Sequence, residues 1–171
     1  MESDNEVLFV LANHDFKDEE YLEPKSVIND AGITCKVVAL VPGECTGTAG
    51  TSATTDFEIG EVNPDDFSTI VFVGGTGVEG YLKDEQIHSI AKIFYKLEKL
   101  VCAICWAPSI LANAGILNGK KATAWSGAKG DLEAGGAAYT GEAVTADGNV
   151  ITANGPDAAT AFGEEIAKRL I

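Results

Sequence analysis

Positive charge is scarce in this chain: 12 Lys and Arg stand against 26 Asp and Glu among 171 residues, for a net charge of −14. Such a polyanion is repelled by nucleic acid and by anionic membranes, so neither is expected as a partner. Histidine is scarcer still, with only His14 and His88, and no Ser-His-Asp or Cys-His-Asp triad can be assembled from that inventory. Apolar runs are short, and none approaches the ~20 residues that a membrane span requires. The opening Met1-Glu2-Ser3-Asp4-Asn5-Glu6 is acidic where a secretory signal is basic, so a cytoplasmic protein is expected. Four cysteines, Cys35, Cys45, Cys102 and Cys105, are too few and too scattered for a disulfide scaffold. Cys102 and Cys105 spell C-x-x-C, but no second ligand pair accompanies them for zinc, and no metal or cofactor is expected.

What is present is an ordinary globular composition, 46% apolar and 22% charged, in a chain long enough to bury a full core as one domain, 1–171. The pattern alternates strand and helix, as in an α/β domain with a largely parallel sheet. Strands are expected over Glu6–Ala12, Ile33–Val41, Ser68–Val73 and Lys121–Trp125. Ala143–Thr145 and Val150–Thr152 flank Asp147-Gly148, a strong hairpin signal. Helices are expected over Lys17–Ala31, stopped by Gly32, and over Asp84–Lys99, where Ile87, Ile90, Ala91, Phe94 and Leu97 recur at helical spacing. A last helix opens at Pro156 and buries Ala159, Phe162, Ile166 and Leu170. Gly43–Asp56, rich in Gly, Thr and Ser, reads as a loop or small hairpin.

The most informative stretch is Leu100-Val101-Cys102-Ala103-Ile104-Cys105-Trp106-Ala107-Pro108-Ser109-Ile110-Leu111-Ala112. A short apolar strand runs into a thiol, and a helix opens with no loop between, to be stopped by Gly115. A corner of this kind holds its central residue strained and exposed, as in a nucleophile elbow. The adjoining helix N-terminus favours a thiolate, which predicts a thiol pKa below the ~8.5 of a free cysteine. The residues alone leave a second reading open, a buried cysteine ending a core strand. Alternation along a strand sends Cys102 and Cys105 to opposite faces, which disfavours a redox pair. Gly75-Thr76-Gly77-Val78-Glu79-Gly80 matches G-x-G-x-x-G, but Tyr81-Leu82-Lys83 separates it from the next helix, contrary to a dinucleotide site. His88 reads as a surface residue, whereas His14 follows the first strand at the end where open α/β sheets bind ligands.

With these segments in order, the chain resembles the ThiJ/PfpI superfamily, which includes PfpI-type intracellular peptidases, the parkinsonism-associated protein and its relatives, and isocyanide hydratases. The resemblance runs from the first strand to the last helix and is carried by Val71-Phe72-Val73-Gly74-Gly75, Ala103-Ile104-Cys105-Trp106-Ala107-Pro108 and Asp147-Gly148-Asn149-Val150-Ile151-Thr152. It implies the class I glutamine-amidotransferase-like fold, a three-layer α-β-α sandwich around a flavodoxin-like, doubly wound, mostly parallel sheet with a small β-hairpin extension. It implies Cys105 as the elbow nucleophile and Glu20 as the glutamate that hydrogen-bonds it. A carboxylate beside a thiolate repels it, so the two groups should share one proton. The backbone amides of Gly75 and Trp106 would form an oxyanion hole, with Gly74 beside them. Glu79 matches the acid that completes the peptidase triad across a subunit boundary in PfpI-type oligomers, and a homo-oligomer, dimer or hexamer, is implied.

Two departures matter. PfpI-type peptidases carry histidine directly after the nucleophile, where this chain has Trp106. Parkinsonism-type proteins carry a histidine where this chain has Trp125. Indole donates a hydrogen bond but accepts no proton, so the peptidase or amidase reading is weakened. The leading expectation is a cysteine-dependent stress-response enzyme acting on a small electrophile, glyoxalase-, deglycase- or hydratase-like. The alternative from another class is a redox sensor or chaperone-like protein whose elbow thiol is oxidised without turnover.

Overall fold

The computed structural model describes residues 5–171, so the acidic opening Met1-Glu2-Ser3-Asp4 lies outside the described residues. The chain runs β1 (Glu6–Val10), β2 (His14–Phe16), α1 (Asp18–Asp30), β3 (Cys35–Val38), β4 (Glu44–Gly47), β5 (Ser52–Thr54), β6 (Phe67–Phe72), α2 (Glu85–Lys96), β7 (Leu100–Ile104) and α3 (Pro108–Asn113). It continues through β8 (Lys121–Ala122), α4 (Lys129–Ala134), β9 (Ala138–Tyr139), β10 (Val144–Asp147), β11 (Val150–Ala153) and α5 (Ala159–Leu170). Six strands form the central sheet in the order β10-β11-β7-β6-β1-β3, parallel throughout except for β10, which returns antiparallel to β11. The interior strands are buried on both faces, so they read as continuous apolar runs such as Val7-Leu8-Phe9-Val10 and Thr69-Ile70-Val71-Phe72.

Helices α1 and α5 pack together on one face, and α2 and α3 on the other, giving the expected three-layer α/β sandwich. Gly163 lets α5 approach α1 closely, since a methyl group there would lie 2.7 Å from the Pro24 Cα. The amphipathic stripe of α2 buries Ile87, Ile90, Ala91 and Phe94 as expected. Leu97 does not follow them: α2 ends at Lys96, and Leu97 is exposed. Leu170 is only partly buried at the end of α5.

The Gly43–Asp56 segment is a hairpin, β4 against β5, and β2 adds a third strand to it. Sequence reading missed β2, β9 and α4, all too short to show a period. It also overextended the expected Lys121–Trp125 strand, which pairs only over Lys121–Ala122. The buried Asp18 carboxylate ties the hairpin to the start of α1, accepting from the Ala49 N–H at 2.7 Å and the Thr51 N–H at 2.9 Å. Among the described residues no helix is long and apolar enough to cross a membrane.

Candidate active site

The site lies at the C-terminal ends of β6 and β7, where open α/β sheets present their ligands. Strand β7 ends at Ile104 and α3 begins at Pro108, leaving Cys105, Trp106 and Ala107 to make the corner. Cys105 adopts φ +66, a left-handed conformation that costs a residue with a Cβ about 1–2 kcal/mol. Its neighbours hold it there. The Cys105 N–H donates to the Ala153 carbonyl at 2.9 Å, and its own carbonyl accepts from the Trp125 N–H at 2.8 Å. The corner is thus the strained elbow expected from the sequence, and Cys105 is only partly buried.

Glu20 arrives from the first turn of α1. The Lys17 N–H, just before that helix, donates to the Gly74 carbonyl at 3.0 Å, which brings the turn against the end of β6. The Glu20 side chain is fully buried, and neither carboxyl oxygen makes a conventional hydrogen bond. It lies against Gly74 and Cys105: a methyl group at Gly74 would sit 2.6 Å from Glu20 Oε1 and 2.8 Å from the Cys105 Cβ. The missing side chain at Gly74 is what allows nucleophile and carboxyl to meet. The thiol and the carboxyl are thus neighbours, and each perturbs the other's proton affinity.

Burial pushes the Glu20 carboxyl up from 4.5 to about 7, while the neighbouring Cys105 thiol, the Gly74 amide and Lys17 pull it back less strongly. The Cys105 thiol moves opposite to expectation. Burial first, and then the Glu20 carboxyl beside it, push it up to about 12. The Trp106 and Gly75 amides, which face the sulfur, only partly offset this. Helix α3 has six residues, and its short dipole is outweighed by desolvation and a like charge. At neutral pH the thiol therefore keeps its proton and the carboxyl is the group of the pair that titrates.

Gly75, Thr76, Cys105, Trp106 and Trp125 line an open pocket of about 160 Å³ with an apolar wall. Gly75 has φ +107, and any Cβ on it would collide with the Asp15 carbonyl at 2.5 Å. Among the described residues the Gly75 and Trp106 N–H groups donate to no backbone carbonyl, and both face the Cys105 sulfur. The two indoles meet edge to face, centroids 6.0 Å apart at 66°. Trp125 is 47% exposed, which sets it apart from core packing.

The structure thus brings together Cys105, Glu20, Gly74, Gly75, Trp106 and Trp125. It does not bring in His14, which is exposed on β2 and absent from the pocket wall, and Glu79, expected to act from a neighbouring subunit, is exposed on the turn Thr76–Tyr81. His88 is not a plain surface residue; it is half-buried, with Nε2 2.8 Å from the Leu82 carbonyl. Sequence reasoning missed Thr76 as a wall residue and Gly127 beneath the Trp125 ring. The Gly74-Gly75-Thr76-Gly77 turn was a signal for the first, and nothing local pointed to the second. Cys102 is fully buried in β7 and all four cysteines are free. No group of three His, Cys, Asp or Glu among the described residues is placed to hold a metal.

Residues 5–169 match the model of the DJ-1/PfpI family. An uncharacterized protein of Methanocaldococcus jannaschii is 44% identical over 167 residues, covering 96% of this chain and 82% of the relative. A deglycase of Pyrococcus horikoshii is 33% identical over 164 residues, 96% of this chain and 98% of the relative. Among solved structures, a ThiJ/PfpI domain protein of Brachyspira murdochii superposes with a TM-score of 0.94 at 33% identity, covering 96% of this chain and 95% of that one.

Proposed function

The chain belongs to the DJ-1/PfpI family, and from that premise we propose that it is a cytoplasmic, homo-oligomeric enzyme that attacks small carbonyl electrophiles with Cys105, using Glu20 to move the proton. The observation that carries this reading is the fully buried, unpartnered Glu20 carboxyl beside a strained thiol that opens on a small pocket. A carboxyl held near pH 7 is matched to proton transfer at working pH. Because burial keeps the thiol protonated, the attack is base-assisted rather than the work of a standing thiolate. That Pyrococcus relatives are named deglycases supports the substrate class.

With a 2-oxoaldehyde, the Cys105 Sγ bonds to the aldehyde carbon as the thiol proton passes to the Glu20 carboxylate. The developing oxyanion is met by the Gly75 and Trp106 amides and takes that proton back from Glu20, leaving a hemithioacetal and a free Glu20 carboxylate. Glu20 then carries the proton from the former aldehyde carbon to the neighbouring carbon, and the hydroxyl proton passes from the first oxygen to the second, so the second carbon is reduced to a hydroxyl carbon as the first becomes a thioester. Water cleaves the thioester, so the 2-hydroxy acid leaves and the thiol is restored. Oxidation and reduction balance within the substrate, and the net addition is one water.

The peptidase reading finds no support at the pocket, since no histidine lines it and indoles occupy both expected places. A peroxide sensor needs appreciable thiolate at neutral pH, which the raised Cys105 pKa opposes. The test is lactate formation from methylglyoxal. Wild type should turn over, Cys105→Ala should not, and Glu20→Gln should lose about 10²-fold or more. Wild-type product no greater than that of Cys105→Ala overturns the reading.

A further inference from the structure

A second cavity, about 350 Å³, adjoins the thiol pocket, and Trp125 is the one residue that lines both. The two spaces differ in chemistry. The thiol pocket is small and apolar, whereas the second is bordered by Ser126, Tyr139, Asn154 and Asp157. It lies at the C-terminal end of β11, the strand next to β7, on the same edge of the sheet as Cys105.

Trp125 is built as a fixed backbone with a lightly held ring. Its N–H donates to the Cys105 carbonyl at 2.8 Å and its carbonyl accepts from the Ala128 N–H at 2.8 Å. Ala124 and Ala128 on either side are fully buried, yet Trp125 itself is 47% exposed. The ring touches Trp106 edge-on and lies over Gly127, where a methyl group would come within 2.6 Å of Cζ3. The bond to the elbow runs from the Trp125 backbone, so it does not depend on where the ring lies.

Resting on the reading of Cys105 as the reacting atom, we propose that the Trp125 indole is a partition that limits the length of electrophile Cys105 accepts, and that the cavity behind it receives the tail of a longer one. A space of about 150 Å³ holds a benzene-sized guest, so the thiol pocket suits a short electrophile, and one reaching towards the second cavity meets the indole on its way. Asp157, Asn154, Tyr139 and Ser126 suit a tail that donates hydrogen bonds or carries an amine. Gly127 is a positioning residue, because only a hydrogen at its α-carbon leaves room for the ring.

The test is alkylation, which reads the site without requiring turnover. Iodoacetamide, N-butyl iodoacetamide and N-(4-aminobutyl) iodoacetamide are compared at one pH, with adducts at Cys105 quantified by peptide mapping. Rates are normalised to those of glutathione with the same reagents. Wild type should favour the short reagent by roughly tenfold, the scale of forcing extra methylenes into a packed site. Trp125→Ala should bring the ratio close to that of glutathione, with Trp125→Leu as a second variant should the first fold poorly. Gly127→Ala should move the ratio the same way by displacing the ring. In Trp125→Ala the aminobutyl reagent should outpace the butyl one, and adding Asp157→Asn should remove that advantage. Equal reaction of short and long reagents with wild type, or an unchanged ratio in both Trp125 variants, overturns the proposal. Should iodoacetamide label Cys35 but never Cys105, even without the indole, the nucleophile reading itself falls, whereas normal Cys105 labelling without lactate formation would isolate the failure to turnover.

Discussion

Exchanging Glu20 for glutamine separates what the carboxyl costs the fold from what it contributes to chemistry. The folded protein holds the Glu20 proton up to about pH 7, whereas an exposed glutamate releases it near 4.5. Between those values the native state binds more protons than the unfolded chain, so stability falls as pH rises through the window. A displacement of this size, at 1.36 kcal/mol per pH unit, corresponds to about 3 kcal/mol. Below pH 4.5 the penalty is absent, and above pH 7 it is fully developed. Glutamine preserves the shape and cannot ionise, so the variant should lack this dependence. Urea unfolding of wild type and Glu20→Gln at pH 5 and pH 8 should therefore give a stability difference that shifts by about 2.5 kcal/mol in favour of the variant at the higher pH. A difference that is the same at both pH values, within about 0.5 kcal/mol, would refute burial as the cause of the raised carboxyl.

Two further outcomes follow from the same contacts. Ultraviolet titration of the thiolate, wild type minus Cys105→Ala, should place the Cys105 transition well above 9 and near 12, and Glu20→Gln should lower it by removing the neighbouring negative charge; a transition below 8.5 in wild type would restore helix-dipole control. Gly74→Ala would set a methyl group 2.6 Å from Glu20 Oε1, 2.7 Å from the Ile104 carbonyl and 2.8 Å from the Cys105 Cβ, so thermal unfolding should show about 1–3 kcal/mol of lost stability together with loss of lactate formation, and unchanged values for both would show that the carboxyl and thiol do not depend on that gap.

Much of the architecture was legible because its signals are local. The apolar run Val71-Phe72-Val73 before Gly74-Gly75, the Asp147-Gly148 turn and the stripe Ile87, Ile90, Ala91, Phe94 each declare an element within a few residues. The elbow was legible for the same reason, since Ile104, Cys105 and Pro108 leave no room for a loop. The failures have one physical origin in common. Helix α4 and strands β2 and β9 are too short for a period and exist because neighbouring segments pair with or cover them. Glu20 looked like any acid in a helical first turn, and only its resemblance to a family position marked it. The thiol's direction was misjudged because a helix terminus is visible in sequence, whereas the atoms that desolvate Cys105 are not.

The residues in order determined an alternating α/β chain, the sequence of its strands and helices, and a cysteine forced into a left-handed corner, since these depend on neighbours a few positions away. Tertiary structure decided how deeply the carboxyl that α1 delivers to that cysteine is buried, that His14 stays outside the pocket wall, and that Trp125 stands between two cavities. The reason is that dielectric environment and enclosure are properties of the packed surroundings, assembled from segments far apart in the chain, whereas backbone conformation is largely settled by adjacent side chains.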